Sequence, residues 1–385
     1  MPVIYPGVQY SGIWNISSQA NAKAAGTWPV QPGPALFTWG SNAFGELGIG
    51  NITNYSSPKQ VGTLTAWLDV ASGEYSSLAL KTDGTIWSWG KNALGQLGLG
   101  NTTNYSSPKQ IGALTTWYSI SLVGTSAFAI KTDGTLWSWG NNGSGELGLN
   151  NLTSYSSPKQ IGSLTTWAGV FANGSANFAI KTDGTLWAWG GANSQGQLGL
   201  GNTTAYSSPK QVGALTSWSK VGSGYAAASI AAIKTDGTIW AWGYNGEGQL
   251  GLNNITDYSS PKQIGALTTW TKIAVFTRAC MAIKGGTLWG WGRNTTNGVL
   301  GLGNLTNYSS PKQVGSLTSW LSVTGGYSAI ALKTDGTLWS WGKNNRGQLG
   351  LGDTTNRSSP NQVGALTTWL KATCGYNNTI SIKTT

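Results

Sequence analysis

Along residues 76–121, hydrophobic and polar positions alternate in short runs with a strand period. Ser77-Leu78-Ala79-Leu80-Lys81 predicts one strand. Asp83-Gly84 supplies the positive-φ turn of a tight hairpin. Thr85-Ile86-Trp87-Ser88-Trp89 predicts the return strand. Residues 90–100 form a glycine-punctuated loop around Gly95-Gln96-Leu97-Gly98. Pro108-Lys109-Gln110-Ile111 opens a third short strand, with proline at the tolerated first position. Trp117 to Ser121 predicts a fourth.

This pattern repeats. Trp-Gly recurs at Trp39, Trp89, Trp139, Trp189, Trp242, Trp291 and Trp341, at spacings of 49 to 53. A Ser-Ser-Pro mark and a Leu-Thr-x-Trp mark also occur seven times each. Together with the first tryptophan of each Trp-x-Trp pair, these marks hold 20 of the 22 tryptophans, so the aromatic content belongs to the repeat. Four short strands in each unit of about 50 residues fit a propeller blade.

Trp87 and Trp89 point to one face of their strand and Ser88 to the other. The middle position is always small: Thr38, Ser88, Ser138, Ala188, Ala241, Gly290 and Ser340. Each blade therefore has a bulky and a flat face, and the two can press together between blades. Burying one tryptophan contributes about 5 kcal/mol gross, an upper estimate. The first unit lacks a Lys-Thr-Asp-Gly strand, and the chain ends on Ile380-Ser381-Ile382-Lys383-Thr384-Thr385. That segment is expected to pair with Ala35–Trp39, so that N- and C-terminal strands share a blade and remove the open edge. The expected fold is all-β: a seven-bladed β-propeller of four-stranded blades over residues 34–385, preceded by an arm at 1–33.

The formal net charge of +11 raises the question of nucleic acid. However, 13 of the 19 lysines occupy two repeated positions, typified by Lys59 and Lys81, which spreads the charge around a ring. Nucleic acid is not an expected partner. Cys280 and Cys374 fall at different repeat positions two units apart and are expected to be free, buried thiols. Met1 to Tyr10 lacks the basic and apolar regions of a signal peptide. No 18-residue apolar run offers a membrane span, so no insertion is expected.

Trp-x-Trp-Gly, Gly-Gln-Leu-Gly, Pro-x-x-Val/Ile and Asp-Gly, at a period of about 50, together resemble the regulator of chromosome condensation repeat over residues 34–385. The resemblance implies a seven-bladed propeller. The histidine that such repeats often place before the Asp-Gly hairpin is absent, with Tyr75-Ser76 and Tyr327-Ser328 standing there. The arm differs. It carries Gly12-Ile13-Trp14, an Ala-rich stretch from Ser17 to Ala25 that predicts a short helix, and Gly26-Thr27-Trp28-Pro29. This arrangement resembles segments of tailed-bacteriophage structural proteins and makes Trp14 and Trp28 candidate anchors.

The chain has no histidine, which removes the commonest general base and metal ligand. Five of its 12 carboxylates, Asp83, Asp133, Asp183, Asp236 and Asp335, sit in hairpin turns. Glu46 and Glu146 share a position filled elsewhere by Gln96, Gln197, Gln249 and Gln348, so no acid is required there. Gly45-Glu46-Leu47-Gly48 and its copies are not followed by a helix and read as turns, not phosphate loops. No enzyme activity, cofactor or metal is expected.

Two loop positions vary between copies: one after Trp-Gly and one before the Lys-Thr-Asp-Gly strand. Their tyrosines and arginines are the candidate partner-binding residues: Tyr75, Tyr225, Tyr244, Arg278, Arg293, Tyr327, Arg346 and Tyr376. The leading expectation is a phage virion component, a decoration, fibre or host-contact module. The arm would bind other virion proteins and the loops a host-surface protein or glycan. The alternative is a cytoplasmic protein-interaction scaffold or GTPase-regulator-like propeller.

Overall fold

The computed structural model describes residues 33–174, 176–222, 224 and 228–384. Trp14, Trp28, the expected helix at 17–25 and Tyr225 lie outside these residues. The described chain forms seven four-stranded antiparallel sheets, as the repeat predicts. Blades 2 to 7 span residues 67–110, 117–160, 167–211, 218–263, 270–313 and 320–362. Blade 1 is composite, in the order Tyr55–Gln60, Ala35–Gly40, Asn378–Lys383, Trp369–Cys374. Its two chain ends pair in register from Ala35↔Lys383 to Gly40↔Asn378. The strands that open on Trp67, Trp117 and their equivalents neighbour one another around the ring and are innermost.

The outer strands begin earlier than the proline suggested. That of blade 2 runs Tyr105–Gln110, with Pro108 inside it. An outer strand pairs on one side only, and a register shift between Ser88 and Gly90 accommodates the bend, so the missing N–H costs no ladder bond.

The two-faced blade is present. Leu78, Leu80, Ile86 and Ile111 of blade 2 pack against Trp117, Ile120, Ala129 and Trp139 of blade 3. The flat face is therefore small only at its centre, where the Ser88 hydroxyl donates to the Leu97 carbonyl at 2.7 Å. Phe37, Trp39 and Trp369 of blade 1 close the ring against Ile330, Leu332 and Leu338 of blade 7.

A specific contact joins every pair of adjacent blades. The Trp-Gly tryptophans are fully buried, and a buried indole N–H needs an acceptor. Trp89 Nε1 donates to the Glu46 carbonyl of the preceding blade at 2.9 Å. Trp139, Trp189, Trp242, Trp291 and Trp341 repeat this with Gln96, Glu146, Gln197, Gln249 and Val299. Trp39 reaches Gln348 and completes the circle. The second glycine of each Gly-Gln-Leu-Gly lies directly beneath the incoming ring. A Cβ on Gly98 would stand 2.7 Å from Trp139 Nε1. The first glycine abuts the next blade's outer strand, where a Cβ on Gly95 would meet the Ser156 Cα at 2.6 Å. Gly100 N–H then donates to the Ser156 carbonyl at 2.7 Å. The loop motif and the Ser-Ser-Pro strand are thus two sides of one joint.

The loop's Glu/Gln position is an acceptor. Glu46 Oε2 takes the Phe44 N–H at 2.8 Å and Gln96 Oε1 takes the Leu94 N–H at 2.9 Å. Either residue type serves, but the acid carries a charge into the interior. Burial, outweighing the backbone hydrogen bond from Phe44, pushes the Glu46 carboxyl above its ordinary range. Cys280 and Cys374 are free and buried, and burial pushes each thiol up to about 12.

Two outcomes test these contacts. Gly98→Ala is expected to destabilise the fold by about 2 to 4 kcal/mol, from the left-handed backbone and the collision with Trp139 together. Gly112→Ala, also at positive φ but with no atom within 4 Å of the added Cβ, should cost about 1 kcal/mol. Equal losses in chemical denaturation would refute the tryptophan contact. Glu46→Gln is expected to raise the melting temperature at pH 7. The fold prefers the protonated acid, so ionisation removes stability as pH rises above about 4.5. The advantage of the variant should shrink to nothing at lower pH, and a pH-independent difference would contradict it.

Candidate functional site

Both variable loops leave the same end of each blade, because the second and third strands pair Ser76↔Gly90 at that end. The Lys91 N–H donates to the Tyr75 carbonyl at 2.8 Å. A Cβ on Gly90 would come within 2.4 Å of that carbonyl, so the glycine of Trp-Gly permits the approach. The same pairing sets Lys343 beside Tyr327 and Arg293 beside Arg278. Each residue after Trp-Gly is therefore delivered to the loop that precedes the neighbouring second strand of the same blade.

Blades 7, 1 and 2 bring three of the expected tyrosines together. Tyr327 and Tyr376 meet edge to face with centroids 5.0 Å apart, and Tyr376 and Tyr75 at 6.0 Å. Phe44 extends the row, 5.1 Å from Tyr75. Lys343 Nζ stands 4.9 Å over Tyr327 and 5.5 Å over Tyr376. Lys91 Nζ stands 4.9 Å over Phe44 and 5.3 Å over Tyr75. Such contacts contribute on the order of 1 kcal/mol each and hold the rings in fixed orientation. Partial burial first, and the Glu74 charge next, push the Tyr75 hydroxyl above its ordinary range. Partial burial, followed by Tyr327, does the same for Tyr376. Both hydroxyls remain neutral donors at physiological pH.

Blades 5 and 6 supply the rest. Arg278 Nη1 contacts Glu247 at 2.7 Å and Arg293 Nε approaches the other oxygen at 3.5 Å. The Arg278 guanidinium also lies 6.0 Å over Tyr244. An open groove of about 420 Å³ joins the two halves, lined by Arg278, Arg293, Asn297, Tyr327 and Lys343. Arg346 is exposed beside it, close enough that its charge, after burial, depresses the pKa of Lys343. The arc carries Lys91, Arg278, Arg293, Lys343 and Arg346 against Glu74 and Glu247. The corresponding loops of blades 3 and 4, at 124–125, 141–144, 172–174 and 191–195, hold no charged residue.

Lys91, Lys343, Phe44 and Glu247 were not among the expected anchors. All stand in the variable post-Trp-Gly loops, which is the signal that marked them. The turn aspartates serve structure: Asp83 Oδ1 accepts the Thr85 N–H and hydroxyl at 2.9 and 2.6 Å. The Thr85 hydroxyl oxygen in turn accepts Trp87 Nε1 at 3.0 Å. Among the described residues no three metal-ligating side chains cluster.

The RCC1-like domain family pattern matches residues 120–385. The regulator of chromosome condensation (RCC1) repeat matches residues 35–80 and 83–129. The chain is 40% identical over 75 residues to the X-linked retinitis pigmentosa GTPase regulator of Canis lupus familiaris. It is 37% identical over 83 residues to the Homo sapiens protein of that name. These stretches cover 19% and 21% of this chain but only 8% of each relative. Among solved structures, Prp20p from Saccharomyces cerevisiae superposes with a TM-score of 0.81 at 20% identity, covering 92% of both chains. Human WBSCR16 gives 0.80 at 20% identity, covering 91% of this chain and 99% of its own.

These findings correct the leading functional expectation. The yeast, canine and human proteins named above are cellular, and none of them is a phage component. The virion role, the virion location, the anchoring of residues 1–33 to other virion proteins and the host-surface partner of the loops are all withdrawn. The misreading rested on a short segment around Trp14 and Trp28, whereas the matched family segments begin at residue 35 or beyond. A seven-bladed ring whose matched repeats run from residue 35 to the C-terminus places this chain in the RCC1-like domain family.

Proposed function

We propose that this chain is a protein-binding propeller that docks an acidic surface of a partner on its loop face, and that the partner class is a small GTPase. The observation that carries this reading is the row Tyr327–Tyr376–Tyr75, held across three blades and flanked by Lys343 and Lys91. Rigid tyrosines lose little entropy on binding, and arginines beside them suit carboxylates. The groove at Arg278 and Arg293 extends this surface over five neighbouring blades. Tyr244 and Arg346 stand at its margin. Residues 34–385 form the binding unit in this reading, and 1–33 an appended arm.

The GTPase class rests on the relatives. Two are named as GTPase regulators, and Prp20p is described with binding properties toward Gsp1p and histones. Binding, not bond-making, is the chemistry this arc supports. Of its two carboxylates, Glu247 is already engaged by two arginines.

Titration calorimetry and nucleotide release with Gsp1p as the probe test the proposal. Tyr376→Ala and the pair Arg278→Glu/Arg293→Glu are each expected to weaken binding at least about tenfold. Lys109→Glu on an outer strand should leave it unchanged. Wild-type-like binding by both loop-face variants would remove the site assignment, and no binding by the parent chain would remove the GTPase class.

A further inference from the structure

The hairpin end of the ring, opposite the loop face, has an asymmetry of its own. Trp67 opens the inner strand of blade 2 buried, and its neighbour Leu68 is turned out. A bulge between Trp67↔Lys81 and Asp69↔Leu80 produces this. The same bulge recurs in the other blades. The turned-out residue is large and apolar in four consecutive blades, 7, 1, 2 and 3. Leu321, Leu370, Leu68 and Tyr118 are 45, 39, 52 and 63% exposed. In blades 4 to 6 the position is small or polar: Ala168, Ser219 and Thr271.

The next residue along the inner strand has the complementary distribution. Lys371 of blade 1 is paired with Asp69 of blade 2, which neutralises that side. Blades 5 and 6 instead present Lys220 and Lys272. Lys220 Nζ donates across the blade boundary to the Thr271 carbonyl at 3.0 Å. Among the described residues no carboxylate forms an ion pair with either lysine. Burial, followed by the adjacent Lys272 charge, depresses the pKa of Lys220, as expected for two ammonium groups held close. Blade 6 also lacks the turn aspartate, reading Lys284-Gly285-Gly286, so the local positive charge is not offset there.

We propose that the hairpin-side rim is a second protein-binding surface whose occupant is an amphipathic acidic segment of a partner protein. Its apolar side would lie on the Leu321–Leu370–Leu68–Tyr118 arc and its carboxylates over Lys220 and Lys272. Four exposed apolar side chains recur at one position on adjacent blades, an arc of surface that water solvates poorly. Two lysines side by side are relieved by an anion between them. A purely apolar partner would leave the lysines unrelieved, and a simple anion would leave the arc wet. The chain does not supply this occupant from its remaining residues: none of those outside the described set is acidic.

The full-length protein should be titrated into a fluorescein-labelled helical peptide of about 18 residues, with leucines on one face and glutamates on the other. Two comparison peptides are needed, one with lysines replacing the glutamates and one with the same composition scrambled. The acidic amphipathic peptide is expected to bind most tightly. Lys220→Glu/Lys272→Glu and Leu68→Ser/Tyr118→Ser should each weaken it about tenfold, with unchanged melting temperatures. Arg278→Glu/Arg293→Glu on the opposite face should leave it unchanged, which separates this proposal from the loop-face reading. Equal binding of the three peptides, no binding of the acidic peptide, or parent-like affinity in the lysine variant would overturn the inference.

Discussion

The ring depends on one contact made seven times: an indole N–H reaching a carbonyl of the preceding blade across a glycine with no side chain. A lone blade would leave its tryptophan wet and its indole N–H dependent on solvent. Each blade therefore needs a neighbour, and only closure gives every blade one. The composite first blade follows from this need. With Asn378–Lys383 seated between Ala35–Gly40 and Trp369–Cys374, Trp39 finds Gln348 and the circle has no end. The hydrophobic area supplies most of the free energy, while the hydrogen bond and the glycine set the register between blades.

The same joint explains where function can reside. The repeat devotes its loop glycines to joining blades and its buried asparagines to shaping the loops that carry those glycines. Asn92, for example, is buried and organises its loop through Leu97 and Asn101. What remains free to differ is the tip of each loop on one face and the turned-out residue beside each bulge on the other. Both faces have become asymmetric in this chain. The loop face gathers aromatics and cations on blades 5 to 2 and is neutral on blades 3 and 4. The hairpin side sets an apolar arc against a lysine pair. A rigid ring lets two such surfaces coexist on opposite ends, since neither supplies the tryptophan–carbonyl contacts that join the blades.

Much of this was legible in the sequence because the repeat is so regular. Alternation at residues 77–81 and 85–89 and the Asp83-Gly84 turn predicted the central hairpin, and the terminal Ile380–Lys383 segment predicted the closure. The outer strand was misplaced because Pro108 reads as a boundary, when a bulge beside Gly90 absorbs it. The partner of each buried tryptophan was not legible, since Trp89 and Glu46 lie 43 residues apart in different blades. At the candidate site, Tyr75, Tyr327 and Tyr376 could be singled out because all three stand in the loop before the second strand of their blades. Their stacking, and the placement of Lys91 and Lys343 over them, depends on side-chain directions that spacing does not encode. The hairpin-side arc escaped notice because a bulge turned Leu68 and Tyr118 outward, against the alternation expected of a strand. The virion expectation failed for a different reason: a short compositional likeness near Trp14 and Trp28 was weighed against a repeat covering most of the chain.

The central claim is that the seven Trp-Gly indoles are locked by the ring itself. Hydrogen exchange of the tryptophan Nε1 protons, followed by NMR, tests it most directly. The protons of Trp39, Trp89, Trp139, Trp189, Trp242, Trp291 and Trp341 are expected to exchange only through global opening, at closely similar and very slow rates. Those of the half-buried Trp87, Trp137 and their equivalents should exchange much faster. If the first group exchanges as readily as the second, the blades are not joined through these tryptophans, and the account of the ring is wrong.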